Sequence, residues 1–88
     1  MSGGHFDYDQ YRIGYIADSI EDLIRDNKTR EYPYSDKIIA KFKKGVKVLR
    51  IAEIYAQRID WLVSGDDGDE SFMKRLAEDL GKLEGGKE

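Results

Sequence analysis

Apolar residues recur every three or four positions through the middle of this chain, and this pattern limits its fold more than any other feature. The members of the stripe are Ile38, Phe42, Gly45, Leu49, Ala52, Ala56, Ile59 and Val63. Because an α-helix has about 3.6 residues per turn, residues at this spacing lie on one face of a helix. The pattern predicts a single central helix over 36–63, about 42 Å long at about 1.5 Å per residue.

Two shorter amphipathic segments flank the central helix. A first helix over about 7–26 is predicted by apolar residues at the same spacing, namely Ile13, Ile16, Ala17, Ile20, Leu23 and Ile24. A third helix over about 68–83 is predicted by Phe72, Met73, Leu76, Ala77, Leu80 and Leu83. Three amphipathic helices with short connectors favour an all-α fold, an antiparallel three-helix bundle with a long central helix.

Residues suited to helix ends stand at the predicted boundaries. Asp7 and Gln10 have the spacing of a capping box at the start of the first helix. Ser35 is the predicted N-cap of the central helix, because its hydroxyl can accept a hydrogen bond from the first turn. Gly65 is the predicted left-handed residue that ends the central helix.

Length and composition limit the class of protein. A chain of 88 residues is one domain, so we expect a flexible N-terminus at 1–5, one helical domain at 6–84 and a flexible C-terminus at 85–88. Hydrophobic residues make up 40% and charged residues 38%, which is too apolar for a disordered chain and too charged for a membrane span. The lack of Cys excludes a disulfide framework. We therefore expect a soluble, cytoplasmic protein.

Ile54 and Trp61 are large apolar residues on the back of the predicted central helix. They are seven positions apart, and at about 100° per residue they lie opposite Ala52 and the main stripe. One interpretation is that the third helix wraps far enough to bury them. The other is that they contact a partner protein or a second copy of the chain, since Trp is enriched at interface hot spots. The sequence leaves both interpretations open.

Basic residues are concentrated between two acidic segments. Residues 28–62 are net basic, whereas the whole chain carries a net charge of −3. Lys43, Lys47 and Arg50 share one side of the central helix, with Arg58 a little further round. This face predicts the alternative function, a nucleic-acid-associated accessory or regulatory protein of bacterial or phage type. The acidic balance and the spread of the other lysines make nucleic acid the less favoured partner.

Few groups in the chain are arranged for catalysis or metal binding. The acidic run at 66–70 misses the EF-hand spacing, because Gly68 and Ala77 occupy two ligand positions counted from Asp66. His5 is the only histidine, and no serine stands beside a base. We therefore expect no enzyme activity, no metal site and no cofactor. The favoured prediction is a small non-enzymatic helical module for protein–protein interaction, with a homodimer among its forms.

Overall fold

The protein folds into three α-helices, which confirms the predicted all-α class. The computed structural model describes residue 6 and residues 9–85, with side chains through residue 83. Helix α1 spans Gln10–Asp26, α2 spans Asp36–Val63 and α3 spans Asp69–Gly85, and a single 3-10 turn at Asn27–Thr29 follows α1. Asp7 and the predicted flexible ends lie outside the described residues, except for Gly85, which ends α3.

Both predicted ends of α2 are confirmed. The Ser35 hydroxyl accepts a hydrogen bond from the Ile38 N–H at 3.3 Å, which satisfies one of the free donors of the first turn. Gly65 has a φ of 86°, the left-handed conformation that other residues adopt only with strain. The start of α1 differs from the prediction, because the helix begins at Gln10 and not near residue 7. The Gln10 side chain turns inward to α2 instead of capping its own helix.

Helix α1 packs along α2 in the antiparallel direction. The Gln10 amide at the start of α1 donates to Gln57 near the end of α2. About two turns further along α1, Asp18 accepts a hydrogen bond from Arg50 in the middle of α2. The two helices approach closely at Gly14, where an added Cβ would lie 2.5 Å from the Glu53 carboxylate. The start of α1 therefore meets the end of α2, as the lengths of the segments predict.

Helix α3 packs on a different side of α2. Arg58 of α2 donates to Asp79 of α3, and Leu83 lines a shallow groove with Lys47. Within the described residues, α1 and α3 each pack on α2, and no Cα atom of α1 lies within 8 Å of one of α3. The result is an open antiparallel bundle with extents of 49 × 28 × 14 Å, twice as wide as it is thick across the helices.

We expect the same substitution to have opposite effects at two glycines of this fold. Gly81→Ala replaces a mid-helix glycine in α3 with open space around it, so the free energy of unfolding should rise by about 1 kcal/mol. Gly65→Ala forces a Cβ into the left-handed region, so the free energy of unfolding should fall by about 1 kcal/mol. Urea denaturation at one protein concentration measures both, and equal effects at the two sites would contradict the described end of α2.

Candidate functional site

The bundle has a very small core for its number of apolar residues. Among the described residues, only Ala17 and Val46 are buried apolar side chains. The exposed large apolar residues of the three helices, tyrosines of α1 aside, are Ile16, Leu23, Ile38, Val48, Tyr55, Ile59, Val63 and Met73. This much exposed apolar surface in one small domain marks a candidate interaction site.

The exposed apolar residues of α2 point away from both other helices. At about 100° per residue, Val46 on the α1 side and Arg58 on the α3 side lie about 120° to either side of Ala52. The five exposed apolar residues of α2, namely Ile38, Val48, Tyr55, Ile59 and Val63, lie within about 60° of Ala52. The main stripe of the central helix is therefore only partly covered, because α1 and α3 occupy the two other sectors of α2. Its members Ile38, Ile59 and Val63 are exposed, and the others are half-buried.

Helices α1 and α3 extend this partly covered surface on both sides. Ile13 of α1 lines a shallow groove with Ala56, at the edge of the same sector. Ile16 and Leu23 follow Ile13 round the same side of α1. On α3, Met73 lies on the side of the helix away from Asp79. We call the surface formed by Ile16, Leu23, Ile38, Val48, Tyr55, Ile59, Val63 and Met73 the apolar face.

Charge is excluded from the centre of the apolar face. In the described stretch 45–63, every residue within about 60° of Ala52 on α2 is apolar or glycine: Gly45, Val48, Leu49, Ala52, Tyr55, Ala56, Ile59 and Val63. Two basic residues, Lys37 and Lys41, lie within the same sector in the first turns of α2, before this stretch, and are exposed. The apolar face therefore has an uncharged centre and a basic rim at one end.

The charged contacts between α1 and α2 lie on the opposite side of the layer. Arg50 donates to Asp18 at 2.7 Å and to Glu21 at 3.1 Å, and also to the Gly14 carbonyl at 3.4 Å. The hydrogen bond to Asp18 is the main reason why the pKa of Arg50 is raised above its ordinary value. Arg50 is therefore held as a cation that joins the two helices.

A second arginine joins α2 to α3. Arg58 donates from Nε to Asp79 at 2.6 Å, and its guanidinium lies 4.8 Å from the centre of the Trp61 ring. The contact with Trp61 is a cation–π contact, and the hydrogen bond to Asp79 is charge-assisted. The Arg58 side chain is thereby enclosed between the two helices, with 14% of its surface exposed.

The predicted site residues lie on this charged side and not on the apolar face. Ile54 and Trp61 are half-buried. Ile54 lines a shallow groove between Tyr11 of α1 and Asp79 of α3, and Trp61 lies under Arg58. The third helix therefore reaches the side of α2 that carries both residues. Their role in binding a partner stays a prediction.

The four predicted basic residues do not form a group of free cations. Lys43 is exposed and Lys47 is half-buried, while Arg50 and Arg58 are engaged in ion pairs between helices. Two of the four therefore have a packing role, which sequence spacing alone does not reveal. The nucleic-acid role of this set stays a prediction.

A buried polar cluster, which the sequence pattern did not reveal, anchors the start of α1. Asp60 has 1% of its surface exposed, and it accepts hydrogen bonds from the Phe6 N–H at 3.0 Å and from the Gln10 amide at 3.2 Å. Gln10 is also buried and donates to Gln57 at 2.7 Å. The sequence held one indication of this cluster, which is that the acidic Asp60 stands between the apolar residues Ile59 and Trp61.

The described residues were compared with the requirements of a metal site and of a membrane-spanning helix. Within them, no group of three or more His, Cys, Asp or Glu side chains is placed to hold a metal ion. None of the helices in the described part of the chain has the length and apolar character needed to cross a bilayer. Neither the family models, nor the curated proteins, nor the solved structures contain a match to this chain.

Asp60→Ala should lower the free energy of unfolding by about 3 kcal/mol. The substitution leaves the Phe6 N–H and the Gln10 amide without their buried charged acceptor, which costs more than the loss of an exposed contact. Glu31→Ala, which removes an exposed acid from the connector between α1 and α2, is the matched control and should change the free energy of unfolding by less than about 0.5 kcal/mol. Urea denaturation compares the two, and similar losses would show that the cluster does not anchor α1.

The Arg58–Asp79 pair should show a coupling energy of about 1 kcal/mol. Both side chains are largely enclosed, with 14% and 27% exposed, so their attraction is less screened than that of a surface pair. A double-mutant cycle with Arg58→Ala and Asp79→Ala measures this coupling from four unfolding curves. Additive effects of the two substitutions would contradict the described contact between α2 and α3.

Proposed function

We propose that this protein is a small non-enzymatic helical module that binds another protein chain, a second copy included, through its apolar face. The observation that carries the proposal is the partly uncovered stripe of α2. A helix layer buries its apolar surface stably only against a second layer. In this bundle α1 and α3 take two sectors of α2 and leave the third partly exposed to solvent, so another chain would supply the second layer.

The separation of charge and apolar surface supports the same proposal. The ion pairs of Arg50 and Arg58 lie between helices on one side, and the uncharged centre of the apolar face lies on the other. Depletion of charge at the centre of a patch is the compositional mark of a protein interface. A cytoplasmic location, expected from the lack of Cys, belongs to the same proposal.

The alternative function, nucleic-acid binding, has less support. Arg50 and Arg58 are each paired with a carboxylate, so a phosphate would have to compete with an existing partner. Because phosphate contacts supply most non-specific affinity, binding to mixed-sequence DNA at low salt tests this alternative. We expect none.

Photo-crosslinking at two adjacent positions tests the proposed surface. Ile16 belongs to the apolar face and has 54% of its surface exposed, whereas Tyr15 has 66% exposed and lies on another side of α1. A photoreactive residue at position 16 should give a discrete crosslinked protein in the cells that make this chain. The same residue at position 15 is the matched control and should give little of that product. Equal products from both positions, or none from position 16, would overturn the proposal.

A further inference from the structure

We infer that the apolar face is closed by a second copy of the chain, with the two α2 helices packed antiparallel across a two-fold axis. The inference rests on the proposed function and names its partner. In a two-fold interface the same patch serves both chains, so each contact of one residue with another occurs twice. The exposed apolar area, the sizes of the residues on α2 and the distribution of charge along α2 support a second copy as the partner.

The exposed side chains of α2 supply apolar area for one interface. Val48 and Val63 are more than half exposed, and the exposed fractions of Ile38, Tyr55 and Ile59 lie between 37% and 43%. A stable protein interface buries about 800 Å² on each partner, and obligate dimers bury more. The same helix of a second copy would cover these side chains along the length of α2.

Small residues on the apolar face allow two α2 helices to approach. Gly45, Ala52 and Ala56 all lie within about 40° of one line along α2. In the antiparallel register that sets Ala52 of one copy opposite Ala56 of the other, the small residues meet at the centre of the interface. Ile59 then lies opposite Leu49, and Val63 lies opposite Gly45.

Charge along α2 selects the antiparallel direction. The first turns of α2 carry the exposed Lys37 and Lys41, and an acidic turn with the exposed Asp66, Asp69 and Glu70 follows its end. In the register given above, Lys41 of one copy faces the turn at 66–67 of the other, which carries the exposed Asp66, and the same pairing recurs at the opposite end. A parallel pair would instead place the basic ends together, which is unfavourable.

Light scattering coupled to size-exclusion chromatography tests the second copy. The unchanged protein should have the mass of a dimer in the micromolar range. Val48→Glu, on the apolar face, should shift it to a monomer, whereas Tyr15→Glu should leave the dimer intact. Both residues are more than half exposed in the single chain, so neither change should unfold it, which circular dichroism checks. A monomer at every concentration, or a dimer that survives Val48→Glu, would overturn the inference. A crosslink from position 16 to a different protein would then still support the proposed function.

A mixing experiment with two charge reversals tests the antiparallel register. Lys41→Glu and Asp66→Lys each place like charges together at both ends of their own homodimer, and each homodimer should dissociate on the order of tenfold more readily. A mixed dimer of the two variants has opposite charges at both ends. Native mass spectrometry of an equal mixture should therefore show the mixed dimer well above the statistical half. A statistical mixture would overturn the antiparallel register, because parallel helices bring neither pair together.

Discussion

Helix α2 has a limited circumference, and the rest of the structure depends on how that circumference is divided. In the described part of the chain, α1 and α3 each pack on α2, and their Cα atoms stay more than 8 Å from one another. They take two of its three sectors, at about 120° to either side of Ala52. The third sector carries the longest apolar stripe in the sequence. The three helices therefore form an open layer, and the apolar side of α2 around Ala52 is only partly covered.

The division is held by polar contacts on the charged side of the layer. Arg50 joins α2 to two acids of α1, and Arg58 joins α2 to Asp79 of α3. The buried Asp60 fixes the start of α1 by accepting hydrogen bonds from it. These contacts are directional, whereas apolar packing is not, so they decide the sector on which each helix lies. The apolar residues left over then define the surface available to a second chain.

The helices themselves followed from local chemistry. Periodicity predicted α2 over the observed 36–63, and both of its ends follow from the hydroxyl of Ser35 and the left-handed Gly65. The start of α1 was predicted less well, because Gln10 was taken for a capping residue. Its amide instead finds Gln57, which is distant in the sequence, and a pattern within one helix cannot report such a partner.

The sequence by itself determined that this protein has three amphipathic helices and which residues form their apolar stripes, because periodicity and capping are local properties of the chain. Only the tertiary structure decided which stripe is covered. Periodicity marks Ile54 and Trp61 as the back of α2 and Ala52 as its buried face. The arginine and Asp60 contacts instead bring α1 and α3 toward the back and leave the Ala52 side only partly covered. The physical reason is that helix placement depends on pairings between residues far apart in the chain, and helical spacing carries no information about them.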